Sequence, residues 1–297
     1  MADITLLDGG MGQELVRRSG DTPTAMWSTR VMQDHPGLVQ AIHADFFAAG
    51  ATVATANTYA LHHDRIEGSD LEGHLPDLYG KALAEAEAAR DSHGSGRIAG
   101  AIGPLRASYR PDLHPDPETA VAIFSEVTQL LAQGCDLVIC ETVASLAHAR
   151  DVLAAAVTSG KPVWLAMTVK DTDGTHLRSG ELVADVLPIA EEKAAALLIN
   201  CAAPEAITTA IHEIKSTTLP FGAYANGFEQ IAPGFLKDKP TVDALRTRRD
   251  FTPAAYADHV MGWVDAGATI VGGCCEVGPA HIAEIATRLR AAGHIIV

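Results

Sequence analysis

Cysteine is scarce in this chain of 297 residues, with only five, at positions 135, 140, 201, 274 and 275. An odd count, together with an N-terminus that lacks the basic and apolar regions of a secretory signal, argues against an exported protein held by disulfides. We therefore expect reduced thiols and a cytoplasmic location. No apolar run approaches the ~20 residues that a membrane-spanning helix needs, so a membrane protein is not expected.

Basic residues are also few. The 22 lysines and arginines are outnumbered by 37 aspartates and glutamates, which gives a formal charge of −15. Such acidity disfavours broad electrostatic binding to nucleic acid or to anionic lipid. Hydrophobic residues make up 47% of the chain, enough for a large core and too many for disorder. We expect small-molecule partners, with no binding to nucleic acid or membrane.

Eight short apolar runs rich in β-branched residues predict buried strands. They begin near residues 4, 51, 97, 136, 162, 195, 220 and 268. Alanine-rich helical stretches lie between them: "DHPGLVQAIHADFFAAGA" stops at Gly50, "DPETAVAIFSEVTQLLAQG" stops at Gly134, and "FTPAAYADHVMGWVDAGA" carries Thr252 before Pro253. Eight strands that alternate with helices over this length are what a (β/α)8 barrel requires.

A doubly wound open sheet is the competing architecture, but it usually has fewer strands, and no G-x-G-x-x-G follows the first strand here. We therefore predict an α/β protein with a (β/α)8 barrel, as one domain over residues 1–297. The longest irregular piece, residues 227 to 250, follows the seventh strand and is typical of a lid or an interface arm. The sequence does not specify the oligomeric state.

Unusual polar residues fall where the predicted strands end, which is the rim that carries the active site of a barrel. In strand order they are Asp8 and Gly9, then Asn57, Thr58 and Tyr59, then Glu141 and Thr142, then Cys201, Asn226, and Cys274 with Cys275. The loops after strands six and eight lie close together around a small barrel. Cys201 is therefore expected to meet the cysteine pair.

The stretch "IVGGCCEVGP" at residues 270 to 279 puts two thiols side by side. A disulfide between neighbours is strained, so two thiolates on one soft metal are the better use. Side chains alternate along a strand, and we expect Gly272 and Gly273 to permit the turn that brings both thiols to one ion. With Cys201, three thiolates and an open fourth position describe a catalytic zinc site. A substrate thiol bound there becomes a thiolate able to attack carbon. Cys135 and Cys140 are interpreted as small buried hydrophobes.

Five motifs together resemble the homocysteine S-methyltransferase family: "DGGMGQEL" at 8 to 15, "ANTY" at 56 to 59, "CET" at 140 to 142, "INCAAP" at 199 to 204 and "GGCCEVGPAHI" at 272 to 282. They occur in order over nearly the whole chain, and "INC" followed by "GGCC" is the most specific pair. The resemblance implies a (β/α)8 barrel that binds zinc through Cys201, Cys274 and Cys275. It implies that homocysteine supplies the fourth ligand and that its thiolate takes a methyl group to give methionine.

The same resemblance implies roles in amino-acid binding. Asp8 and Glu141 are expected to hold the substrate ammonium, with Gly9 and Thr58 placed for backbone or hydroxyl contacts. Without the surrounding motifs, Asp8 would be a turn former and Glu141 a rim salt bridge. No catalytic side chain is expected beyond the zinc-activated substrate thiolate, because zinc removes the need for a general base.

The methyl donor is expected to be an onium compound, such as S-methylmethionine, S-adenosylmethionine or betaine. Such cations sit well against aromatic faces, and the candidates are Tyr59, Trp27, Tyr109 and Trp164, of which only Tyr59 is placed by a motif. The segment "GPLRASYRPDLHPD" departs from the "GPYGA"-like stretch common in members that use S-methylmethionine, so the donor is left open. Methyltetrahydrofolate through cobalamin is disfavoured, since the chain has no room for the extra domains.

Other functions remain open at this point. Lys170 follows the fifth strand, where a Schiff-base aldolase would place its lysine, although Asp171 and Asp173 flank it as in a solvated loop. The "HHD" at 62 to 64 offers metal ligands, although a solvated loop is the simpler interpretation. A zinc-binding barrel that acts on a different thiol acceptor is one alternative. A barrel that holds zinc as a thiol or metal sensor, without turnover, is the non-enzymatic alternative.

Overall fold

A computed structural model describes residues 1–21, 26–231, 236 and 245–297 of the chain. The strands in this part are β1 Asp3–Leu6, β2 Val53–Thr55, β3 Arg97–Ile102, β4 Leu137–Val143, β5 Val163–Met167, β6 Val169–Lys170, β7 Asp173–Leu177, β8 Ala196–Asn200, β9 Phe221–Ala225, β10 Ile270–Gly273 and β11 Ile295–Ile296. The α-helices are α1 Met11–Ser19, α2 Trp27–Asp34, α3 Leu38–Ala49, α4 His63–Ile66, α5 Leu75–His93, α6 Pro117–Leu131, α7 Leu146–Ala156, α8 Leu187–Lys193, α9 Pro204–Ile214, α10 Pro253–Asp265 and α11 Pro279–Ala291.

The main sheet is parallel and runs in the order β11-β1-β10-β9-β8-β5-β4-β3-β2. Apart from the edge strand β11, the two ends of this order are β1 and β2, and they also meet. Leu7, just after β1, pairs in parallel with Val53 of β2, and the amide of Thr52 donates to the carbonyl of Leu6 at 2.7 Å. This contact closes the sheet on itself. The result is the predicted (β/α)8 barrel, with β1, β2, β3, β4, β5, β8, β9 and β10 as its wall.

Two cores hold the barrel together. Inside the wall, a cluster of inward-facing side chains includes Leu7, Ile139, Trp164 and Leu198. Outside it, a larger core packs the helices against the strands. The wall strands are buried on both faces, for example all five residues of β5 and of β8, which explains why their sequences are continuous rather than alternating in hydrophobicity.

Helix ends follow the sequence signals. Asp116 accepts from the amide of Thr119 at the start of α6, and Thr252 accepts from the amide of Ala255 at the start of α10. Gly50 ends α3 with a φ of +113°, the left-handed conformation that glycine adopts without strain. No helix among the described residues is long and apolar enough to cross a membrane.

All eight predicted strands are confirmed, and two small features were missed. A hairpin, β6 with β7, follows the fifth barrel strand, and the two-residue β11 pairs with β1 at the sheet edge. The two-residue strands β6 and β11 are too short for a visible period of two, and β7, with the sequence DGTHL, lacks the apolar run that marked the other strands. Of the segment from 227 to 250, residues 232–235 and 237–244 lie outside the described part.

Candidate metal and substrate site

Three thiols converge at the carboxyl ends of two barrel strands. Cys201 follows β8, and Cys274 and Cys275 follow β10. Their Sγ atoms all lie within 4.8 Å of one another and are the one group of metal-ligand type found in the described part of the chain. Sγ of Cys275 lies 3.9 Å from Sγ of Cys201 and 3.9 Å from Sγ of Cys274. The sequence prediction that strands six and eight bring these residues together is confirmed.

The donor set and the spacing fit zinc. Zinc-sulfur bonds of about 2.3 Å in a tetrahedron separate the sulfurs by about 3.8 Å. Two of the three pairs match this separation, and the third, Cys201 with Cys274, is closer at 2.9 Å. Hydrogen bonds from the other two thiols hold the pKa of the Cys201 thiol well below its usual range. Cys201 is therefore the first of the three thiols to lose its proton.

The position of Cys201 depends on a strained backbone. Cys201 has a φ of +51°, and Thr142, at the end of the nearby strand β4, has a φ of +57°. Both values are uncommon for residues with a side chain. The buried side chain of Asn200 joins the two strand ends: it accepts from the Thr142 amide at 3.0 Å and donates to its hydroxyl at 3.2 Å. Asn200 therefore stabilises the conformation that turns Cys201 into the site.

The two glycines before the cysteine pair act by allowing close approach, which corrects the sequence prediction. Neither Gly272 nor Gly273 has a positive φ; the left-handed residue of this turn is Glu276, at +67°. A Cβ on Gly273 would lie 2.0 Å from Cγ1 of Val277, and one on Gly272 would lie 2.5 Å from Cβ of Leu7. The turn itself is closed by the Val277 amide, which donates to the Cys274 carbonyl at 3.1 Å.

Tyr109 contacts the cluster of three thiols directly. Its hydroxyl lies 3.0 Å from Sγ of Cys201, and its ring lies under the guanidinium of Arg178, 5.0 Å from the ring centre. Arg178, which follows the hairpin, makes a two-pronged ion pair with the buried carboxylate of Asp171, with both distances at 2.9 Å. Asp171 also accepts from the amide of Ala203, two residues after Cys201, at 3.1 Å. The hairpin that the sequence did not predict thus supports a ligand-bearing loop.

Asp8 lies at the end of β1 and is 2% exposed. It accepts from the amide and from the hydroxyl of Thr55, at 2.7 and 2.8 Å. Burial raises the pKa of Asp8 to about 7, because ionisation would put a charge where water cannot reach it. These two donors only partly offset that cost. A cation bound against Asp8 would favour the ionised form.

Glu141 lies at the end of β4 and is also buried. The Tyr224 hydroxyl donates to it at 2.8 Å. Burial, together with the nearby charges of Cys201 and Asp8, raises the pKa of Glu141 to about 8. In the described part of the chain, no lysine or arginine forms a salt bridge with either Asp8 or Glu141.

One cavity joins the thiols to the carboxyls. It has an empty volume of about 920 Å³, part of it open to solvent, and Asp8, Gly9, Glu141 and the three cysteines line it. Phe228 and Leu245, from the described parts of the segment after β9, also line it. An antiparallel β-bridge between Phe228 and Thr247 joins these two described parts of the segment. Both parts therefore belong to the cavity wall.

The other predicted binding residues divide into two groups. Gly9, Tyr59 and Tyr109 line the cavity. The Tyr59 hydroxyl lies 2.7 Å from that of Ser108. Thr58 is fully buried, its hydroxyl placed between the carbonyl and the amide of Ala101 at 2.8 and 3.0 Å, and it is not among the lining residues. The Thr58 hydroxyl therefore bonds within the barrel wall and does not line the cavity.

Two tryptophans were donor candidates. Trp164 packs inside the barrel wall with the guanidinium of Arg97 over its ring, and it is not among the residues that line the cavity. The side chain of Trp27 lies outside the described part of the structure. Among the four aromatic candidates, Tyr59 and Tyr109 are the two that the structure places at the cavity.

The alternative chemical sites are not assembled. Lys170 lies in β6 and is absent from the cavity lining. In the "HHD" segment, the His62 ring bonds the Gly103 carbonyl while His63 faces Glu126, so the side chains diverge. Cys135 and Cys140 are buried in the outer core, as expected for small hydrophobes.

Several residues at the site were missed by sequence reasoning. Thr55, Asn200 and Tyr224 hold Asp8, Cys201 and Glu141 in place, and Gln13 lines the cavity beside Cys275. Each lies in or next to a predicted strand end or the first motif. A polar residue at the end of an apolar strand was the available signal, but it does not indicate which partner the side chain will meet.

Comparison with known proteins gives one consistent family. The family model described as homocysteine S-methyltransferase matches residues 5–289. The homocysteine S-methyltransferase of Escherichia coli strain K12 is 31% identical, covering 96% of this chain and 95% of that protein. The homocysteine S-methyltransferase YbgG of Bacillus subtilis strain 168 is 28% identical, covering 97% and 95%. Among solved structures, the metallated form of the homocysteine methyltransferase MmuM from Escherichia coli superposes with a TM-score of 0.81, at 28% identity and 96% coverage of each chain.

Proposed function

This chain belongs to the homocysteine S-methyltransferase family, and we propose that it moves a methyl group from an onium donor to homocysteine in a zinc-dependent reaction that yields methionine. The observation that carries the proposal is the shared cavity: three thiols that could hold a metal ion face the same space as two buried carboxyls, neither of which forms a salt bridge with a lysine or arginine of the described residues. An amino acid with a sulfur at the end of its side chain fits both ends of that space.

Cys201, Cys274 and Cys275 would hold the zinc. When bound, zinc lowers the pKa of a substrate thiol so that it is a thiolate near neutral pH. Once Cys201 is a thiolate, the Tyr109 hydroxyl at 3.0 Å would donate a hydrogen bond to it and so stabilise the charge on that ligand. No side chain needs to act as a general base under this mechanism.

Asp8 and Glu141 would hold the substrate ammonium. Each has a pKa raised by burial, to about 7 and about 8, so the arrival of an ammonium ion favours ionisation of both. Thr55 and Tyr224 fix the directions in which the two carboxylates point. Gly9 is proposed to offer backbone contacts beside Asp8; a Cβ there would lie 2.1 Å from the Val277 carbonyl oxygen, so only glycine fits. Thr58 contributes by fixing the β2 end to β3.

The transfer itself is proposed to be an in-line displacement. The homocysteine sulfur forms a bond to the methyl carbon while the bond from that carbon to the donor's sulfur or nitrogen breaks, and that sulfur or nitrogen keeps the electron pair and loses its positive charge. Held at both ends, homocysteine presents its sulfur to a donor in the same cavity. Such alignment can lower the activation free energy by several kcal/mol. Tyr59 and Tyr109 are the aromatic faces proposed for the cationic donor.

Residues 1–297 are proposed to act as one homocysteine-binding barrel domain. Three thiols that must stay reduced to bind metal support a cytoplasmic location.

The test is methionine formation by purified protein. Wild type and Cys274→Ser would be given homocysteine with S-methylmethionine, S-adenosylmethionine, betaine or dimethylsulfoniopropionate in parallel. We expect turnover from one of these donors, with loss of both zinc and activity in Cys274→Ser. Cys135→Ala, a change of a buried cysteine outside the site, should keep both. Stoichiometric zinc with no product from any donor would contradict the methyltransferase function and favour a sensor.

A further inference from the structure

His43 lies behind Asp8 and has no hydrogen-bond partner of its own. It is in α3, it is 0% exposed, and its Nδ1 is 3.8 Å from Oδ2 of Asp8. Neither of its ring nitrogens has a hydrogen-bond partner among the residues that the structure describes. Burial of a polar group without a partner is destabilising, because its hydrogen bonds to water are lost and not replaced. An apolar side chain of similar size would fill this space without that penalty.

The imidazole is neutral in this position. Burial lowers the pKa of His43 to about 3, so one ring nitrogen carries a proton and the other a lone pair near neutral pH. The distance of 3.8 Å to Asp8 is too long for a hydrogen bond, and a movement of about 1 Å would close it to normal length. His43 is not among the residues that line the cavity, so it does not touch the substrate.

We propose that His43 is a positioning residue for Asp8: with the proton on Nδ1, it donates to Oδ2 of Asp8 once that carboxylate is paired with the substrate ammonium. This inference rests on the proposed binding of homocysteine at Asp8. The contact would form when the ammonium binds, and it would shorten the distance of 3.8 Å between Nδ1 and Oδ2 to that of a hydrogen bond.

The geometry around Asp8 shows what the contact contributes. An ionised carboxylate has about four positions at which it accepts hydrogen bonds. Thr55 fills one on each oxygen, from its amide and its hydroxyl. His43 would fill a third, from the side of α3, and leave one position for the ammonium. The carboxylate is then fixed in a single orientation, and its charge is stabilised without a competing cation.

The experiment measures homocysteine binding by calorimetry on zinc-loaded protein, together with KM and kcat. His43→Phe keeps the ring and removes the donor; His43→Asn keeps a donor close to the Nδ1 position. We expect His43→Phe to raise the Kd and KM for homocysteine about tenfold or more, as for loss of a hydrogen bond to a charged group. The kcat should stay within about twofold, since the sulfur end of the site is untouched. His43→Asn should recover most of the affinity.

The matched control is His148→Phe. His148 is another buried histidine with an unpartnered ring nitrogen, and it lies in α7, where it stacks on Phe124. The same change there should leave homocysteine binding unchanged. Zinc content and thermal unfolding of each variant report whether the fold is intact.

Each outcome separates the two proposals. If wild type binds no homocysteine, the proposed function fails. If wild type binds and His43→Phe binds equally well, or if His43→Asn is no better than His43→Phe, the ring only packs and the inference is overturned. Should His43→Phe not fold, His43→Gln replaces it, since its amide lies at the Nε2 position. Equal affinities of the Asn and Gln variants would then overturn the inference.

Discussion

The hydroxyl of Tyr109 lies 3.0 Å from Sγ of Cys201, and both side chains are buried. Once Cys201 is a thiolate, the phenol donates this bond, which spreads the negative charge of the ligand. Groups that hydrogen-bond to metal ligands typically change metal affinity 10- to 100-fold when they are removed. The pair therefore connects the loop after β3 to the strength of the metal site.

Tyr109→Phe removes that donor and keeps the ring. We predict that zinc affinity, measured by competition with a chromophoric chelator, falls about tenfold. Tyr79→Phe is the control, since the buried Tyr79 hydroxyl donates to the Leu61 carbonyl at 2.7 Å, away from the thiols. An equal loss of affinity in both variants would show that the effect comes from general destabilisation.

Arg178→Lys tests whether the guanidinium stacked on Tyr109 helps to hold that ring in place. Lysine keeps the charge but cannot reproduce both the stacking on the ring and the two-pronged bond to Asp171. We predict a smaller loss of zinc affinity than in Tyr109→Phe. In the double variant the losses should be less than additive, because part of the effect of Arg178 on the cluster passes through the Tyr109 ring. Strict additivity of the two free-energy changes would contradict this link.

Glu141→Gln should separate binding from stability. Glutamine can still accept from Tyr224, but it offers no charge to the substrate ammonium, so homocysteine affinity should fall at least tenfold.

The folded-state pKa of Glu141 is raised to about 8 from 4.5, so the wild-type carboxyl destabilises the ligand-free fold increasingly as pH rises from 4.5 to 8. Calorimetric unfolding should therefore show a higher Tm for Glu141→Gln, with a larger difference at pH 8.5 than at pH 6. A lower Tm at pH 8.5 would show that Glu141 is stabilising instead.

Product binding should depend on pH through the same carboxyls. Methionine has no thiol to titrate, so its affinity reports the amino-acid end of the site alone. Asp8 and Glu141 must be ionised to pair with its ammonium, and their pKa values are raised to about 7 and about 8 by burial. Affinity should therefore rise between pH 6 and pH 8.5, with the upper step absent in Glu141→Gln. An affinity that is flat or falls over this range would exclude these carboxyls as the ammonium site.

Gly273→Ala should destroy the metal site, because the new Cβ would lie 2.0 Å from Val277, which closes the cysteine turn. We predict loss of bound zinc, measured by elemental analysis. Gly262→Ala is the matched control: it lies in α10 with nothing within 4 Å of the added Cβ, so it should keep zinc and stabilise the fold by about 0.5–1 kcal/mol. Full zinc content in Gly273→Ala would contradict the close-approach account.

Much of this architecture could be predicted because strong signals agreed. Eight apolar runs that alternate with helical stretches, some of which begin at caps such as Asp116 and Thr252, left few alternatives to a barrel. The barrel in turn places every strand end on one rim, so Cys201 and the cysteine pair could be brought together from sequence order alone.

What could not be predicted depends on three-dimensional packing. The sequence suggested that Gly273 provides conformational freedom, whereas the structure shows that it provides space beside Val277. Arg178 and Tyr109 are far apart in the chain, and no local pattern indicates that one lies over the other. The isolation of His43 is likewise invisible in the sequence, where a histidine within an apolar helix face is indistinguishable from one that has a partner.

The central claim is that the thiols of Cys201, Cys274 and Cys275 hold zinc and that homocysteine adds its own sulfur there. Zinc X-ray absorption on the purified protein, with and without homocysteine, tests it most directly. We predict three sulfur ligands before homocysteine and four after it, with zinc lost from Cys274→Ser. Zinc that shows no gain in sulfur at saturating homocysteine, or protein that binds no zinc under reducing conditions, would contradict the account.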